Sequence, residues 1–346
     1  MPRIELASVT RDIPQCPVCG ATDREPLAAP PGSISPYTRT IAEMVELSPE
    51  DLLLKFPLWT CKGCTAVWHD PWFTVEFAET FYGYVCGQHF YGWAGLANWL
   101  KQTPVTFVAT RSAIWRFLRE HIPGSLTYAE LNCPNAGLAF AELDARSGSE
   151  ARELGIARLR ELTRVYAKSS VFARPNAAVA AMSAHAAQDP SAGFLTRRTL
   201  LTEDSPYCWR RSCVQGGVSC HAFAQDFMFD RMATLKQAEE AGEHFDLVGT
   251  FVTLDHMPDP VSLMKRLLGI GTRVLLEMHG PGWTDLQHFY ALGSGFPGMF
   301  GELGAQFRDL TPWALSHGVP GRSNGSQFFI LSVSDDLSWV PEHGPG

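Results

Sequence analysis

The sequence predicts an α/β protein in which a mostly parallel sheet follows a small cysteine-rich N-terminal region. Four cysteines form two C-x2-C pairs near the N-terminus. From Leu126 onward, short apolar runs alternate with helix-like segments, which is the pattern of an α/β sheet. A chain of 346 residues with 45% hydrophobic residues can form two domains, or one large domain with an appendage.

The elements follow from the spacing of apolar residues and from Pro and Gly. Residues 24–36 contain four prolines and a glycine and are predicted to be a loop. Helical spacing is found in LANWLKQ, in Thr110–Glu120, across the Ala-rich and Arg-rich residues 138–190, and in Pro260–Leu268. Buried strands are predicted at Ser125–Leu131, Phe245–Leu254, Thr272–Met278 and Ser326–Val333. We therefore divide the chain into a cysteine-rich domain at 1–80, a helical connector at 81–120 and a sheet domain at 121–346, with no element assigned in 191–243.

Charge and hydropathy limit the classes of partner. The chain has 28 Lys and Arg against 36 Asp and Glu, a net charge of −8, so we expect no nucleic acid as its main partner. We expect no membrane span, because no stretch approaches the ~20 apolar residues that one requires. The first residues contain no apolar run typical of a secretory signal, which favours a cytoplasmic protein with reduced cysteines. A small molecule or a partner protein remains open.

The two cysteine pairs predict a metal site. Two thiolates three positions apart on a tight turn can face one ion, and two such turns complete a tetrahedral site of four thiolates, which zinc prefers. Gly20 and Gly63 are expected where the backbone must turn sharply. The alternatives are four unrelated buried cysteines or a redox C-x-x-C. The predicted ligands, which would form a structural site with no open position, are Cys16, Cys19, Cys61 and Cys64.

A second cysteine-rich stretch is less clear. Cys208, Cys213 and Cys220 precede His221 and could form another metal site, but their spacing is irregular. Buried thiols are the preferred interpretation of these cysteines, and Cys86 is assigned to the core.

Acids and histidines follow three of the predicted strands. They occur in Glu130–Gly137, in Leu254–Pro260 and in Glu277–Gly282. Ligands of open α/β sheets bind outside the carboxyl ends of the strands, so these loops together predict a pocket. Ordinary capping of the following helix is the alternative for Asp255 and Asp259.

The chain resembles the class I S-adenosylmethionine-dependent methyltransferases, in particular the bacterial group with an N-terminal zinc-binding domain that includes sugar C-methyltransferases. The resemblance lies in CPVCG with FPLWTCKGC, in DPWFTVEFAETFYG, in FDLVGTFVTLDHMPDPVSLMKRLL, in RVLLEMHG and in QHFYALGS. It implies a Rossmann-like sheet with zinc and S-adenosylmethionine as cofactors, acting on a small molecule or biosynthetic intermediate. It implies cofactor contacts at Glu130, Cys133, Gly137, Asp226 and Asp255, and the candidates for a catalytic base are His256, His279 and His288, since histidine titrates near neutrality.

The loop Glu130–Gly137 departs from the family pattern. The family has E-x-G-x-G-x-G, whereas this chain has Asn132, Pro134 and Asn135 between Glu130 and Gly137. Proline lacks an amide donor and has a fixed φ. The acid that holds the ribose in the family has no counterpart that we can place. The acids and histidines retained at the strand ends nevertheless favour an active methyltransferase, which is the first interpretation. The alternative is an inactive methyltransferase-like protein that serves as a binding or assembly partner of an enzyme complex.

Overall fold

The structure, a computed structural model, describes most of the N-terminal region and the main sheet of the chain. The described residues are 4–28, 34–74, 126–131, 195–201, 231–251, 260–279, 298–316 and 327–341, with the positions 77, 114, 117, 118, 120–122, 254, 286, 290 and 291. The predicted helices at LANWLKQ and 138–190 lie outside these residues. Within Thr110–Glu120, positions 114, 117, 118 and 120 are helical.

The N-terminal region forms a small module of short strands and two helices. After a 3-10 turn, its elements are β1 (Thr10–Arg11), β2 (Arg24–Leu27), α1 (Pro36–Val45), α2 (Pro49–Leu54), β3 (Leu58–Cys61), β4 (Val67–His69) and β5 (Trp72–Phe73). The strands β2, β3 and β4 pair antiparallel in that order, and β1 pairs with β5.

Two of these elements correct the loop predicted at residues 24–36. β2 occupies its first part, although it contains Pro26. A proline is tolerated there because β2 lies at the edge of its sheet, where one row of amides needs no partner. α1 begins at its last residue, Pro36, and the Ser35 side chain accepts a hydrogen bond from the Thr38 amide at 3.1 Å. The buried Ile41 of α1 anchors the helix to the core.

The larger sheet has seven strands in the described residues. They are β6 (Leu126–Leu131), β7 (Leu195–Leu201), β8 (Arg231–Thr234), β9 (Leu247–Phe251), β10 (Val274–Met278), β12 (Gln306–Asp309) and β13 (Gln327–Ser332). Four of them confirm the predicted strands, while β7, β8 and β12 were not predicted. The described helices of this part are α3 (Leu235–Glu240), α4 (Pro260–Ile270), α5 (Gly298–Glu302) and α6 (Thr311–Ser316), of which α4 was predicted.

The strand order defines a Rossmann-like sheet of the class I methyltransferase type. The order is β12-β13-β10-β9-β6-β7-β8, and β6 to β10 are parallel. In chain order, β7 and then β8 are added on one side of β6, and β9 and then β10 are added on the other side of β6. β13 runs antiparallel between β10 and β12. The order therefore reverses between β6 and β9, which makes this the switch point where ligands of such sheets bind.

Both faces of the central strands are covered. Every residue of β9 and of β10 is buried. Val248 and Leu276 lie on the face that packs in the same apolar core as Met264 and Leu267 of α4. Central parallel strands are buried on both sides in this way, which explains why β9 and β10 are mostly apolar, with Thr250 and Glu277 as the polar exceptions. Among the described helices, none combines the length and the apolar character needed to cross a membrane.

A further strand joins the two parts of the chain. Tyr290 and Ala291 form β11, which follows β10 in the sequence but pairs antiparallel with Trp68 and Val67 of β4. The sheet of the N-terminal module thus has the order β11-β4-β3-β2 in the described residues. One of its edges therefore comes from the sheet domain.

Candidate metal centre and cofactor edge

The two C-x2-C pairs converge on one point. The sulfur atoms of Cys16, Cys19, Cys61 and Cys64 all lie within 4.8 Å of one another. The Sγ of Cys16 lies 3.5 Å from that of Cys64, and the Sγ of Cys19 lies 3.5 Å from that of Cys61. Thiolates that bind one zinc ion at ~2.3 Å in a tetrahedron lie about 3.8 Å apart. The donor set and its spacing therefore fit a four-thiolate zinc site.

Both pairs lie on turns with the same hydrogen bonds. In the first turn the Gly20 amide donates to the Cys16 carbonyl at 2.9 Å, and the Cys16 amide donates to the Ala21 carbonyl at 2.8 Å. In the second turn the amides of Thr65 and Cys61 make the equivalent bonds at 2.9 and 2.8 Å. The sharp turn thus has the same backbone form in the two pairs.

Both glycines lie in the sharp turns as predicted, but only Gly20 has a positive φ, at 72°. The position equivalent to Gly20 in the second turn is Thr65, with φ 57°. A Cβ placed on Gly63 would make an ordinary contact, 3.6 Å from the Cys61 sulfur. A side chain would therefore be tolerated at position 63, whereas Thr65 adopts the left-handed conformation that the turn imposes.

The surroundings of the sulfurs favour a thiolate at Cys16. The amides of Gly63 and Cys64 point to the Cys61 sulfur at 3.3 and 3.5 Å. The hydrogen bond with Cys64 lowers the pKa of Cys16 to about 5. The same hydrogen bond raises the pKa of Cys64, and burial of Cys64 raises it further. Burial also raises the pKa of Cys19. Within this pair Cys16 is thus the sulfur that ionises first, and binding of a cation would release the proton of Cys64.

The carboxyl ends of β6, β7, β9 and β10 meet at one edge of the large sheet. Glu130, the last residue but one of β6, lies in register with Thr199 of β7 and Gly249 of β9. The backbone therefore places this acid at the switch point between β6 and β9. Gly249 leaves room for the buried Tyr128, because a Cβ at position 249 would collide with the Tyr128 hydroxyl.

His279 lies at the same edge. It directly follows β10 and is 8% exposed, and Glu277 of the same strand is also buried. Of the predicted cofactor and catalytic residues, the described residues include Glu130, through its backbone, and His279. The remaining predicted positions lie outside the described residues; they are Cys133, Gly137, Asp226, Asp255, His256 and His288, together with Cys208, Cys213, Cys220 and His221 of the possible second metal site.

Thr250 was not predicted to be of interest. Its hydroxyl is buried near the carboxyl end of β9 and has no hydrogen-bond partner within the part of the chain that the structure describes. No sequence signal marks it, because a single threonine in a buried apolar run is common in strands.

Comparison with known proteins gave matches among solved structures alone; neither protein-family models nor curated proteins gave a match. The chain is 14% identical to EvdMO1 over 64% of its own length and 40% of that chain, with a TM-score of 0.32. It is 7% identical to the plantazolicin methyltransferase BpumL in complex with SAH over 75% of its own length and 98% of that chain, with a TM-score of 0.36. For StiE O-MT residues 961–1257 the identity is 13%, the coverage 63% and 89%, and the TM-score 0.25. With TM-scores this low, the class of fold rests on the strand order.

Proposed function

We propose that this protein is an S-adenosylmethionine-dependent methyltransferase that acts on a small molecule or biosynthetic intermediate. The observation that carries the proposal is the switch point between β6 and β9, with the acid Glu130 beside it. Open α/β sheets bind nucleotide-like ligands at such a point. The resemblance of FDLVGTFVTLDHMPDP to the corresponding methyltransferase stretch favours this cofactor over other nucleotides.

The residues at this edge fit the chemistry of the cofactor. A carboxylate at position 130 can accept hydrogen bonds from an ammonium group or from hydroxyls, both of which the cofactor carries. In this proposal the loop from Glu130 to Gly137, including Cys133, binds the cofactor with Asp226 and Asp255. When bound, the cofactor supplies an activated methyl group, and the protein orients the acceptor toward it.

A base is needed if the acceptor is a hydroxyl or an acidic carbon. His279 is the candidate that the structure describes, because it follows β10 at the cofactor edge and is largely shielded from water. Its imidazole would take the acceptor proton as the methyl group is transferred. His256 and His288 are the other candidates for the same role. Shielding from water also protects the reacting groups from hydrolysis.

We also propose that one zinc ion is bound by Cys16, Cys19, Cys61 and Cys64. Because four protein thiolates fill a tetrahedral site, this zinc has a structural role. Metal analysis of the purified protein is expected to give about one zinc per chain. About two per chain would indicate that Cys208, Cys213, Cys220 and His221 form a second site.

The inactive alternative is supported by the loop sequence. Pro134 donates no amide hydrogen bond, and Asn132 and Asn135 stand where glycines would let the backbone approach the cofactor. If the backbone stays too far from the cofactor, the fold is kept and the chemistry is lost. The protein would then be a binding or assembly partner of an enzyme.

Calorimetry with S-adenosylmethionine distinguishes these functions. We expect a dissociation constant in the micromolar range, which corresponds to a binding free energy on the order of −8 kcal/mol. We also expect the cofactor to raise the melting temperature of the protein. Glu130→Gln should weaken binding about tenfold to a hundredfold, because hydrogen bonds to a charged group contribute about 1.5–3 kcal/mol. The matched control is Glu25→Gln, at an exposed position of β2 in the N-terminal module, which should bind like the wild type. If millimolar cofactor produces neither heat in calorimetry nor a shift in melting temperature, the enzyme proposal is overturned.

A further inference from the structure

Glu277 is a buried acid that the proposed reaction does not use. It is the last residue but one of β10 and is 2% exposed. Its register partners on the neighbouring strands are Phe251 of β9 and Phe328 of β13, both of which are buried. A carboxylate in surroundings this apolar is costly unless a hydrogen-bond donor or a positive charge stands beside it. The position of Glu277 therefore requires such a partner.

His279, which directly follows β10, is the titratable residue nearest to Glu277 along the described backbone. Side chains alternate between the two faces of a strand, and Val274, Leu276 and Met278 all belong to the core shared with α4. Glu277 and His279 thus stand on the opposite face, about 6.6 Å apart along the chain, a distance that the two side chains together can span. Because His279 is only 8% exposed, little water competes for its ring nitrogens.

The other titratable residues on this face of the described strands start farther from Glu277. β6 and β12 each lie two strands from β10, which is about 10 Å, and β7 lies three strands away. The residues concerned are Tyr128, Glu130, Arg197 and Arg308. The hydroxyl of Tyr128 lies over Gly249 of β9, so it comes nearer to β10 than its backbone does, but it is neutral. The backbone therefore makes His279 the closest group that can carry a positive charge beside Glu277.

We propose that Glu277 is the positioning residue for His279, and that His279 is the base of the methyl transfer. This inference rests on the proposed function, because it selects one base from the three candidates. The Glu277 carboxylate accepts a hydrogen bond from one ring nitrogen of His279, which leaves the other nitrogen unprotonated and available to the acceptor.

The proton and electron pairs balance in this arrangement. The acceptor gives its proton to the free ring nitrogen of His279 and keeps the electron pair, with which it takes the methyl group. The electron pair of the broken methyl–sulfur bond stays on the sulfur, which loses its positive charge. Glu277 remains ionised and offsets the charge of the imidazolium that forms.

An NMR spectrum of the ring protons of the full-length, zinc-loaded protein tests the pairing without an acceptor. A ring N–H bonded to a buried carboxylate gives a far-downfield signal that exchanges slowly with water, because the bond is charge-assisted and shielded. The chain has 11 histidines, so loss of the signal in His279→Asn assigns it. We expect Glu277→Gln to shift this signal upfield or to lose it, because a neutral amide oxygen is a weaker acceptor. Absence of a His279 signal in the wild type, or its survival unchanged in Glu277→Gln, would overturn the proposal.

A conservative variant separates this role from a purely structural one. Glu277→Asp keeps a carboxylate that is one methylene shorter, so the His279 signal should persist but exchange with water about tenfold faster. The control Glu240→Gln removes an exposed acid of α3 and should leave the signal unchanged. Zinc content and melting temperature show that each variant is folded. If Glu277→Gln does not fold, Glu277→Asp decides, since a signal with the position and exchange rate of the wild type would contradict a bond to this carboxylate.

Adding S-adenosylmethionine separates this proposal from the proposed function. In protein that binds the cofactor, the ring signals of His279 should shift, because the base must lie near the transferred methyl group. Unchanged ring signals in the cofactor-bound protein would overturn the role of the pair in the reaction. Failure of the cofactor to bind at all would overturn the proposed function, while the effect of Glu277→Gln on the His279 signal would still decide whether the two side chains are paired.

Discussion

The strands of the N-terminal module contain two to four residues, whereas β6, β7 and β13 of the large sheet contain six or seven. Strands that short make few backbone hydrogen bonds, and a small region of this kind relies on a metal or another cross-link as well as on its buried side chains. The central strands of the large sheet are buried on both faces and need none. Substitutions in the module should therefore act through ligands and polar contacts, and those in the sheet through packing.

The largest effect is expected from removing a metal ligand. Cys61→Ser should abolish zinc binding and unfold the module, because the binding free energy of structural zinc, on the order of 10 kcal/mol, is also folding free energy. Lys62→Ala is the matched control, since Lys62 lies in the same turn and its side chain is 49% exposed. Zinc content and thermal denaturation measure the effect, and full zinc retention in Cys61→Ser would show that the four sulfurs are not the ligands.

The next effect concerns the polar contacts of the module. Asp70 accepts hydrogen bonds from the Ile13 amide and from Arg24, and the Arg24 guanidinium lies 4.0 Å above the Trp59 ring. Asp70→Ala leaves the partly buried Arg24 without this carboxylate partner, although it still donates to the Ile13 carbonyl, so the free energy of unfolding should fall by about 3 kcal/mol.

The control for Asp70 is Asp23→Ala. Asp23 pairs with Lys62 at 3.2 Å, and both side chains are exposed. Such a pair contributes about 0–1 kcal/mol, so its loss should be small. Urea denaturation of both variants, followed by tryptophan fluorescence, measures the difference. Equal destabilisation by the two substitutions would mean that burial of the Arg24 and Asp70 pair is unimportant.

In the large sheet the comparable test is steric. A Cβ at Gly249 would collide with the Tyr128 hydroxyl and lie 2.8 Å from Cε2 of Phe251. Gly249→Ala should therefore cost about 1–3 kcal/mol, with zinc content unchanged. Adding Tyr128→Phe removes the nearest atom and should recover part of the loss, which a double-mutant cycle measures. Strictly additive effects would show that Tyr128 does not crowd this glycine.

The same contrast explains which elements could be predicted from the sequence. β9 and β10 are mostly apolar because both of their faces are buried, and such runs are visible without a structure. β7, with the sequence LTRRTLL, contains two arginines and forms no apolar run, so its pairing with β6 and β8 decides its conformation. β12 has partly or fully exposed residues at the sheet edge and was missed for the same reason.

The site was predictable where chemistry fixes the spacing. Two thiolates can bind one ion only from a tight turn, so the C-x2-C pairs identified Cys16, Cys19, Cys61 and Cys64, which the fold brings together. The role of Thr65 in the second turn was not predictable, because threonine rarely adopts a positive φ. The pairing of β11 with β4 was not predictable either. It joins residues more than 200 positions apart through backbone hydrogen bonds, which carry no sequence signal.

The smallest expected effects on the free energy of unfolding concern two glycines of the sheet domain, and these effects have opposite signs. Gly269 lies in α4, is exposed, and has no atom within 4 Å of a built Cβ, so Gly269→Ala should stabilise the protein by about 0.5–1 kcal/mol. Gly242 follows α3 with φ 63°, and its amide donates to the Glu239 carbonyl at 3.0 Å. Gly242→Ala forces a Cβ into the left-handed conformation and should cost about 1 kcal/mol.

Urea denaturation of the zinc-loaded and zinc-free proteins should give both differences unchanged, because the helices of this domain depend on backbone conformation and packing rather than on the metal. A sign reversal at either glycine would contradict the backbone argument, and a dependence on zinc would show that the metal site and these helices are energetically coupled.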